Sequence, residues 1–333
     1  MWCWKYWRDS LTSRIVLEDS PVISSRHGKD PSDRGLTELI GAGVILVDKP
    51  PGPSSHQLAS WAREILGLKR LGHGGTLDPF ATGALTLLLG KATRLTDVVL
   101  SGDKTYIAVL KIDSSISSEL VKEVIERFAG EIYNVPPLES AVKIRVRTRT
   151  INEIKLLDSD QDNGFHTVRV SCQAGTYIRT LARDIGLILG TPCILSELHR
   201  HSTGIFEQSQ LCTMQQLADA AMLAQEGDEE ALCKLIAPVE RILGSIPGVW
   251  IRDSAIASVC HGAPLAVPGV VSLDSGVSAG DKTVIWSSKG EAVAIGEMIV
   301  DSSDVRDMAE GEIVKPKTVL MDKDNYPGAW SGR

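Results

Sequence analysis

One acidic residue in this chain stands in a setting that restricts the local backbone. The segment 71–89 has the sequence LGHGGTLDPFATGALTLLL and contains Asp78. Three glycines precede this aspartate, and glycine permits positive φ and a close approach of the backbone to a ligand. Pro79 follows and disfavours helical geometry at Asp78. The apolar run 84–89 is long enough for a buried strand or the start of a helix. We therefore predict a carboxylate held on a rigid loop against a hydrophobic wall.

The chemistry of this loop is narrowed by what its sequence lacks. Asp78 could simply cap a turn, which is the common role of an isolated Asp-Pro pair. The loop has no lysine in the pattern of a nucleotide-binding P-loop, and no neighbouring His/Cys spacing of the kind that holds a metal. The chemical role that remains is a carboxylate that acts by itself as a nucleophile or base.

The segment GHGGTLDPFATGAL closely resembles the catalytic loop of the TruB/dyskerin family of pseudouridine synthases. Its GHGG form resembles the archaeal and eukaryotic dyskerin branch. The resemblance implies an α+β fold with a mixed, largely antiparallel central sheet flanked by helices. It also implies the conversion of uridine in RNA to pseudouridine, with Asp78 as nucleophile or base. This isomerisation involves no redox change and no external group, so no cofactor and no metal are expected.

Two further motifs resemble parts of the same family. The sequence KTY opens a predicted strand at Lys104, where a tyrosine usually belongs to the core or its rim; by resemblance, Tyr106 lies against the target base and Lys104 is assigned to substrate binding. The sequence GTYIRTLARDIG places Tyr177 and Arg179 at a strand-to-helix junction. Arg179 could simply pair with a helix neighbour. The resemblance implies instead that Arg179 pairs with Asp78 and that Tyr177 lines the uracil pocket.

The segment ELHRHSTGIF resembles a third family signature but departs from it. Leu198 matches the apolar residue that forms the floor of the uracil pocket. The family usually has LRRTRSGPF, and two of its basic positions are occupied here by His199 and His201, which favours weaker or pH-dependent phosphate contact. A metal at these histidines would need ligands that the nearby sequence lacks. In the glycine loop, His73 is predicted to help displace the uridine or hold its phosphate, and a structural role fits equally well.

Cations alternate with other residues in the segment 136–149, PPLESAVKIRVRTR. On an extended strand, four of these side chains point to one face: Lys143, Arg145, Arg147 and Arg149. A row of like charges is unfavourable unless an anion lies against it, so we predict a track for RNA phosphates whose binding depends on salt. The alternative is a solvated strand edge protected by charge. The segment also resembles the PPLxSAVK motif of the family.

Two amphipathic helices are predicted in the first half of the chain. The first is capped by Ser54 or Ser55 and places Trp61 among its inward-facing residues. The second covers residues 117–130, with Leu120, Val124 and Phe128 directed inward. The sequence DKPPGPSSH, before the first helix, is predicted to pack strand against helix beneath the catalytic loop.

Composition places the chain among globular proteins. Its 333 residues are 43% hydrophobic and 23% charged, enough for two domains with separate cores. No apolar run approaches the roughly 20 residues that span a bilayer, and we expect no signal peptide. The six cysteines include no C-x-x-C pair. This pattern indicates reduced thiols in a cytoplasmic protein.

Charge and local pattern divide the chain into an arm at 1–40, a catalytic domain at 41–240 and a small β-barrel domain at 241–325. The arm is predicted to be partly disordered or packed on the C-terminal domain. The net charge is −7, and residues 226–333 hold 10 Lys and Arg against 17 Asp and Glu, so the acidity belongs to the C-terminal third. From residue 249, short β-rich runs separated by Gly, Pro and Asp predict a small barrel. These runs resemble a PUA domain, an RNA-binding module.

The resemblance implies two kinds of substrate. TruB-type enzymes act by themselves on the TΨC-loop uridine of tRNA, whereas dyskerin-type enzymes mostly modify rRNA under the direction of a box H/ACA guide RNA and small partner proteins. Archaeal members can show both behaviours. The GHGG loop, the basic segment and the PUA-like end favour the guided branch, so RNA and small H/ACA proteins are the expected partners, and no membrane is expected.

Two other functions are compatible with parts of the sequence. A non-catalytic RNA-binding scaffold would use only the PUA-like domain and the basic segment, and it would not need the site residues of the three motifs. A hydrolase acting on nucleosides would normally use paired carboxylates or an aspartate cluster. Only Asp78 has a special setting here, which disfavours the hydrolase.

Overall fold

The structure, a computed structural model, describes residues 13–136 and 145–327. These residues form two compact units that alternate along the chain. The central unit comprises Ile45–Leu88 and Leu95–Ala231. The terminal unit comprises Leu89–Arg94 together with the described residues up to Val44 and from Leu232 onward. The predicted domain boundaries at residues 40 and 240 stay predictions.

The described residues form short helices and many strands. The helices are α1 (Leu36–Gly41), α2 (Ser55–Ile65), α3 (Thr96–Ser101), α4 (Ser118–Glu126), α5 (Ile178–Leu189), α6 (Met214–Gln225), α7 (Glu230–Leu235) and α8 (Asp253–Cys260). The strands are β1 (Arg14–Val16), β2 (Gly43–Lys49), β3 (Leu71–His73), β4 (Thr82–Leu89), β5 (Lys104–Lys111), β6 (Gly130–Asn134), β7 (Arg147–Asp160), β8 (Phe165–Cys172), β9 (Ile194–Thr203), β10 (Phe206–Glu207), β11 (Ile236–Pro238), β12 (Gly248–Ile251), β13 (Leu265–Ala266), β14 (Val270–Asp274), β15 (Lys282–Ser287), β16 (Ala292–Met298) and β17 (Glu312–Val319).

The central unit is built on a mixed sheet. Its strands follow the order β2-β4-β9-β5-β8-β7-β6, with β3 beside β4 and β10 beside β9. Strand β9 runs parallel to β4, and the pairs β9–β5, β5–β8, β8–β7 and β7–β6 are antiparallel. Helices α4 and α5 pack against β7 and β9. This is the largely antiparallel sheet with flanking helices that the family resemblance predicts.

One hydrophobic core joins the sheet to these helices and to the predicted catalytic loop. It contains Leu110 of β5, Val170 of β8, Ile125 of α4 and Leu181 of α5, each at most 2% exposed. Leu77, directly before Asp78, belongs to the same core and is 4% exposed. Full burial of a leucine or isoleucine side chain contributes about 1.5–3 kcal/mol. The loop is therefore held by hydrophobic packing on its N-terminal side.

Helix α2 begins where the sequence predicts. The Ser54 hydroxyl accepts a hydrogen bond from the backbone N–H of Gln57 at 3.1 Å, which caps the first turn. The helix ends before Gly67, whose φ of +62° is the left-handed conformation that favours glycine after a helix. Trp61, however, is 43% exposed. The prediction that it faces the core is wrong.

The face of α4 was also predicted incorrectly in part. Val124 is buried as predicted, but Leu120 is 43% exposed, and Val121 and Ile125 are buried instead. A 3.6-residue period allows neighbouring stripes when apolar residues occur at several positions. The position of the sheet selects which stripe is buried.

The terminal unit contains a second sheet, with strands in the order β1-β14-β12-β15-β16-β17-β13. Strands β12 and β15 are parallel, and the other pairs are antiparallel. Strand β1, from the predicted N-terminal arm, adds to the sheet edge by pairing with β14. Residues 14–16 of the predicted arm are thus part of this sheet. The tryptophans at positions 2, 4 and 7 lie outside the described residues.

Two buried carboxylates tie this arm to the rest of the terminal unit. Glu291 is 3% exposed and accepts hydrogen bonds from the Tyr326 hydroxyl at 2.7 Å and from the backbone N–H of Lys29 at 3.3 Å. Burial and the neighbouring Glu291 raise the pKa of Tyr326, so its hydroxyl remains a donor. Glu240, 1% exposed, accepts two hydrogen bonds from the guanidinium of Arg34 at 2.9 and 2.7 Å.

A buried histidine makes the stability of the central unit depend on pH. His166 of β8 is fully buried, its Nδ1 lies 2.9 Å from the Ser159 hydroxyl, and burial lowers its pKa. Below pH 6.5 the unfolded chain binds a proton that the folded chain binds more weakly, so stability falls as pH decreases. We expect wild type to lose stability relative to His166→Gln between pH 7 and 5, by at most about 1.4 kcal/mol per pH unit. Urea unfolding of both proteins at each pH measures this, and parallel pH profiles would contradict it.

Across residues 13–136 and 145–327, no helix has the length and apolar composition needed to cross a bilayer.

Candidate active site

A buried lysine holds the backbone around Asp78. Lys49 ends strand β2 and is fully buried. Its Nζ donates hydrogen bonds to the carbonyl oxygens of Pro50 at 2.9 Å, Pro79 at 3.0 Å and Ala81 at 2.8 Å. Burial lowers the pKa of Lys49, and the nearby Asp78 carboxylate opposes that lowering. One ammonium group therefore joins the first motif to the residues that follow Asp78.

The start of α2 supports the other side of the loop. The buried Ser55 hydroxyl accepts a hydrogen bond from the N–H of Leu77 at 2.8 Å and lies 3.2 Å from the carbonyl oxygen of the same residue. The N–H of Gly52 donates to the carbonyl of Pro79 at 2.8 Å. These contacts confirm that the segment DKPPGPSSH packs beneath the loop. The segment therefore holds the residues directly before and after Asp78.

The carboxylate of Asp78 pairs with the guanidinium of Arg179. The Arg179 Nη2 donates to Asp78 Oδ1 at 2.9 Å, and both side chains are 30% exposed. Arg179 lies in the first turn of α5, and the preceding turn is held by Asn134, whose Oδ1 accepts the N–H of Tyr177 at 2.9 Å. The predicted pairing is therefore present. The partial exposure leaves the carboxylate accessible to a substrate.

Aromatic and apolar side chains lie beside this pair. Leu198 of β9 is 7% exposed and belongs to the same core as Leu77. Tyr106 packs against that core and is near enough to the Asp78 carboxylate to feel its charge. Tyr177, which is half-buried, precedes α5 directly. The structure thus brings the predicted base-binding side chains to the region of the Asp78–Arg179 pair, and their catalytic roles stay predictions.

Arg200 is a site residue that the sequence analysis did not identify. It is 1% exposed, and its Nε donates to the carbonyl oxygen of Ala84 at 2.6 Å. Its Nη2 donates to the carbonyl oxygen of Gly75 at 3.3 Å. Arg200 is also the cross-strand neighbour of Tyr106 on β5. A signal was available in the third family signature, LRRTRSGPF, which also has an arginine two residues after the leucine that matches Leu198.

Gly83 permits the parallel contact between β4 and β9. Its φ is +96°, and a Cβ at this position would lie 2.4 Å from the carbonyl oxygen of Arg200. Only glycine adopts this conformation without strain and leaves the space for the neighbouring backbone. The close contact brings Arg200 next to the strand that follows the Asp78 loop.

Lys104 occupies a different environment from the one predicted. It is 6% exposed, and its Nζ donates to the carbonyl oxygens of Val99 at 3.2 Å and Leu100 at 2.8 Å, and also to that of Gly102. These carbonyls lie at the C-terminal end of α3, where a cation is favourable. Burial lowers its pKa to about 8, and the positive charge of Arg200 contributes to this shift. The structure shows a helix cap, and substrate binding by Lys104 stays a prediction.

His73 contacts a second histidine beside the glycine loop. Its Nε2 lies 3.3 Å from the Nδ1 of His56, and the two ring centroids are 4.5 Å apart. Burial lowers the pKa of His73, and the neighbouring His56 and Arg200 contribute. Both imidazoles line an open pocket of about 480 Å3. A role in RNA contact stays a prediction for His73, and the sequence analysis did not identify His56.

The basic segment is only partly described. Lys143 lies outside the described residues. Arg145 and Arg147 are exposed, and Arg149 is half-buried. Strand β7 begins at Arg147, so Arg147 and Arg149 share one face of an extended strand. A Cβ at Gly175 would lie 3.2 Å from the guanidinium of Arg149, which places this arginine beside the turn that leads to Tyr177.

Two histidines near the site contact neighbouring side chains, and two nearby cysteines are buried. The His199 Nδ1 lies 2.9 Å from the Thr82 hydroxyl, and the His201 Nδ1 lies 2.8 Å from the Gln208 Oε1. Burial raises the pKa of Cys172 to about 11 and that of Cys212 to about 11. These thiols stay protonated near neutral pH and are therefore poor nucleophiles.

Domain families match the chain in consecutive stretches. The N-terminal domain of TruB family pseudouridylate synthases matches residues 63–178, and the tRNA pseudouridylate synthase B C-terminal domain matches residues 179–244. A DKCLD (NUC011) domain matches residues 12–59, and a PUA domain matches residues 247–320.

Similarity to individual proteins extends over nearly the whole chain. A probable tRNA pseudouridine synthase B from Pyrobaculum arsenaticum is 39% identical over 324 residues, which cover 97% of this chain and 97% of that protein. A probable tRNA pseudouridine synthase B from Methanopyrus kandleri is 41% identical over 321 residues, covering 96% of this chain and 93% of that protein. The chain belongs to the TruB family of pseudouridine synthases.

Solved structures of TruB-family proteins share this fold. A chain in the structure of an H/ACA RNP bound to a substrate RNA containing 2′-deoxyuridine superposes with a TM-score of 0.89 and 36% identity, covering 97% of this chain and 99% of that chain. A chain in the crystal structure of a Cbf5-Nop10-Gar1 complex superposes with a TM-score of 0.88 and 38% identity, covering 96% of this chain and 98% of that chain. The predicted fold, a pseudouridine synthase domain with a PUA domain, is confirmed.

Membership of the TruB family confirms that the chain is an isomerase acting on RNA. The catalytic interpretation is thereby supported over the non-catalytic scaffold. In this TruB-family site, the family motifs identified Asp78, Arg179 and Tyr106 by sequence. Arg200 and the ammonium of Lys49 act through backbone carbonyls, which no side-chain motif records. Their contribution became visible only when β4, β5 and β9 were placed together.

Proposed function

We propose that this TruB-family enzyme isomerises uridine in RNA through Asp78, and that it does so as the catalytic subunit of a guide-directed particle of the H/ACA type. The observation that carries the catalytic part is the ion pair of 2.9 Å between Asp78 and Arg179, on a loop supported from both sides. The assignment to a guide-directed particle is supported by the structure of an H/ACA RNP with substrate RNA, one chain of which matches 97% of this chain.

The reaction rearranges one nucleoside without loss of atoms. The N1–C1′ bond of uridine breaks and a C5–C1′ bond forms. C5 loses its proton, and N1 gains one. Asp78 serves as the carboxylate that attacks the nucleoside or removes a proton from it. Arg179 fixes the orientation of this carboxylate through a charge-assisted hydrogen bond of 2.9 Å.

The target base must leave its stack before it reaches Asp78. Extrusion of a base costs a few kcal/mol, which is offset by stacking on aromatic and apolar side chains. We assign this role to three side chains: Tyr106, Tyr177 and Leu198. Leu198 belongs to the same core as Leu77, and Tyr106 packs against it. Tyr177 directly precedes α5, which carries Arg179. These positions support a base held where its glycosidic bond can be attacked.

The basic segment supplies the phosphate contacts in this proposal. Arg145 and Arg147 are exposed at the start of β7, so each can release a counterion when it meets a phosphate. We expect the double replacement by alanine to weaken RNA binding and to reduce the slope of log Kd against log salt by roughly 1.5 to 2. Binding titrations with labelled RNA at several salt concentrations measure this.

A matched control lies farther along the same strand. Lys155 of β7 is exposed and lies 3.5 Å from Glu153. We expect Lys155→Ala to leave both the affinity and the salt slope unchanged. Equal losses in the control and in the Arg145→Ala, Arg147→Ala variant would mean that β7 contributes only general charge, and the phosphate track would then be rejected.

Substrate choice is tested by one activity assay with added components. The purified protein is incubated with a tRNA transcript, then with a guide RNA, its target RNA and the small partner proteins, and pseudouridine is measured at each uridine. Our proposal predicts efficient modification of the guided target only in the complete mixture. Efficient modification of the TΨC-loop uridine by the protein without partners would show an autonomous tRNA enzyme instead.

A control separates loss of function from loss of RNA binding. RNA affinity is measured under the same conditions as each activity assay. Bound RNA without pseudouridine in any mixture would overturn the proposed catalysis and favour a scaffold. We also place the enzyme in the cytoplasm, which is supported by the unbridged cysteines Cys172, Cys193, Cys212 and Cys260. Localisation of a tagged chain in its host cells tests this.

A further inference from the structure

Arg200 is a buried cation beside the predicted base-binding residue Tyr106. The mechanism proposed above does not use it. It is 1% exposed, and burial of a guanidinium is costly unless its donors are satisfied. Two of its donors contact backbone carbonyls, those of Ala84 at 2.6 Å and Gly75 at 3.3 Å. The positive charge of Arg200 also acts on the side chain of Tyr106.

The register of the sheet places Arg200 beside Tyr106. Tyr106 of β5 is the cross-strand partner of Arg200 of β9, and directly opposed residues of an antiparallel pair project from the same face. Ala108 and Leu198 form the next pair on that face. The arginine and the tyrosine therefore lie side by side on the surface that carries Leu198, because the pairing of β5 with β9 brings them together.

The second end of Arg200 reaches the loop of the catalytic aspartate. Gly75 has a φ of +101°, and a Cβ there would lie 3.6 Å from the Arg200 Nη1. Gly75 precedes Asp78 by three residues, and Leu77 between them is anchored by Ser55. The same guanidinium thus contacts the loop that holds the carboxylate and the tyrosine that faces the base.

We propose that Arg200 is a positioning residue for the isomerisation: it holds the hydroxyl of Tyr106 and the Gly75 backbone in fixed relation, so that the uracil ring and the Asp78 carboxylate meet in a reactive geometry. This inference rests on the proposed function, because it concerns the rate of that reaction. A lysine at this position would retain the charge but would not span three acceptors, because an ammonium is a compact point charge and lacks the planar fork.

The alternative is a purely structural role, in which Arg200 only joins β4, the glycine loop and β9. A structural role predicts lower stability and a rate loss that does not depend on the Tyr106 hydroxyl. A positioning role predicts that the rate loss disappears once this hydroxyl is absent. Tyr106→Phe removes the hydroxyl and retains the ring, so the two roles give different results in a double-mutant cycle.

The experiment measures single-turnover pseudouridine formation by wild type, Arg200→Lys, Tyr106→Phe and the double variant, on the RNA that wild type modifies. We expect Arg200→Lys to lower the rate roughly 10- to 100-fold, with RNA Kd changed by less than about threefold. In the Tyr106→Phe background we expect the same substitution to lower the rate by less than about threefold. Additive losses, or a near-normal rate for Arg200→Lys, would overturn the proposal.

Two controls keep the result interpretable. Arg34→Lys alters a partly buried arginine that pairs with Glu240 in the terminal unit. Its effect is expected to be the same with and without Tyr106→Phe. If Arg200→Lys does not fold, Tyr106→Phe by itself still decides: a rate within threefold of wild type leaves no hydroxyl for Arg200 to position and overturns the proposal. Inactive wild-type protein on every RNA would instead reject the proposed function.

Discussion

Replacing Asp78 with asparagine is expected to abolish pseudouridine formation, with a loss of at least about a thousandfold. Asparagine has nearly the same shape but no negative charge, so it can neither attack the nucleoside nor accept a proton as a carboxylate does. The loop itself is held by other groups, since Lys49 and Ser55 bond its backbone. RNA affinity should therefore change by no more than a few-fold.

The measurement is single-turnover formation of pseudouridine, together with RNA binding by the same preparations. Asp158→Asn is a suitable control, because Asp158 is an exposed aspartate of β7; this variant is expected to retain the wild-type rate. An Asp78→Asn enzyme within tenfold of wild type would refute the assignment of Asp78 as nucleophile or base. Catalysis would then have to depend on another group near Arg179.

Arg179→Lys is expected to lower the rate about a hundredfold, with a smaller effect on RNA affinity. The guanidinium donates to Asp78 Oδ1 at 2.9 Å from the first turn of α5. A lysine ammonium retains the charge, but it cannot reproduce a planar donor in the same position. The carboxylate would keep its charge partner and lose its orientation, and orientation contributes strongly to reaction rates.

The control for this substitution lies one helical turn farther along α5. Arg183 is 62% exposed and lies 2.8 Å from Asp184, so Arg183→Lys changes the same residue type on the same helix away from Asp78. We expect this variant to be fully active. A near-normal rate for Arg179→Lys would mean that another cation orients Asp78, and buried Lys49 would be the first residue to test.

The arrangement of charge explains why both substitutions should matter. Asp78 faces Arg179, and the charge of Asp78 also influences Lys49. Burial lowers the pKa of Lys104 to about 8, and the positive charge of Arg200 contributes to this lowering. The site thus combines one carboxylate with buried cations, Lys49 and Arg200, that donate to backbone carbonyls. Groups fixed in this way need no reorganisation during the reaction.

Local sequence was sufficient where chemistry and motif coincide. The loop around Asp78 and its pairing with Arg179 follow from motifs that are 101 residues apart in the chain. Strand β5 follows from the run that Lys104 opens, and the cap at Ser54 follows from local hydrogen-bonding preference. These features depend on residue type and near neighbours, so the sequence can predict them.

Local sequence failed where a side chain had more than one possible environment. Leu120 was predicted inside and is exposed, because α4 can present two neighbouring apolar stripes and the sheet selects one. The three-residue motif at Lys104 did not indicate that the folded chain places its ammonium on the carbonyls that end α3, and its assignment to substrate binding stays a prediction. A flexible cation bonds the acceptors that folding brings to it.

The sequence by itself determined the family and the reaction and predicted Asp78 as the carboxylate that performs it, because the residues around Asp78 are restricted by backbone geometry and by the chemistry of the family. Only the tertiary structure decided how that carboxylate is held. Arg200, Lys49 and Ser55 act on backbone groups brought together from separate strands and helices. Backbone carbonyls and N–H groups are the same in every residue, so a sequence does not record which of them a buried side chain will meet.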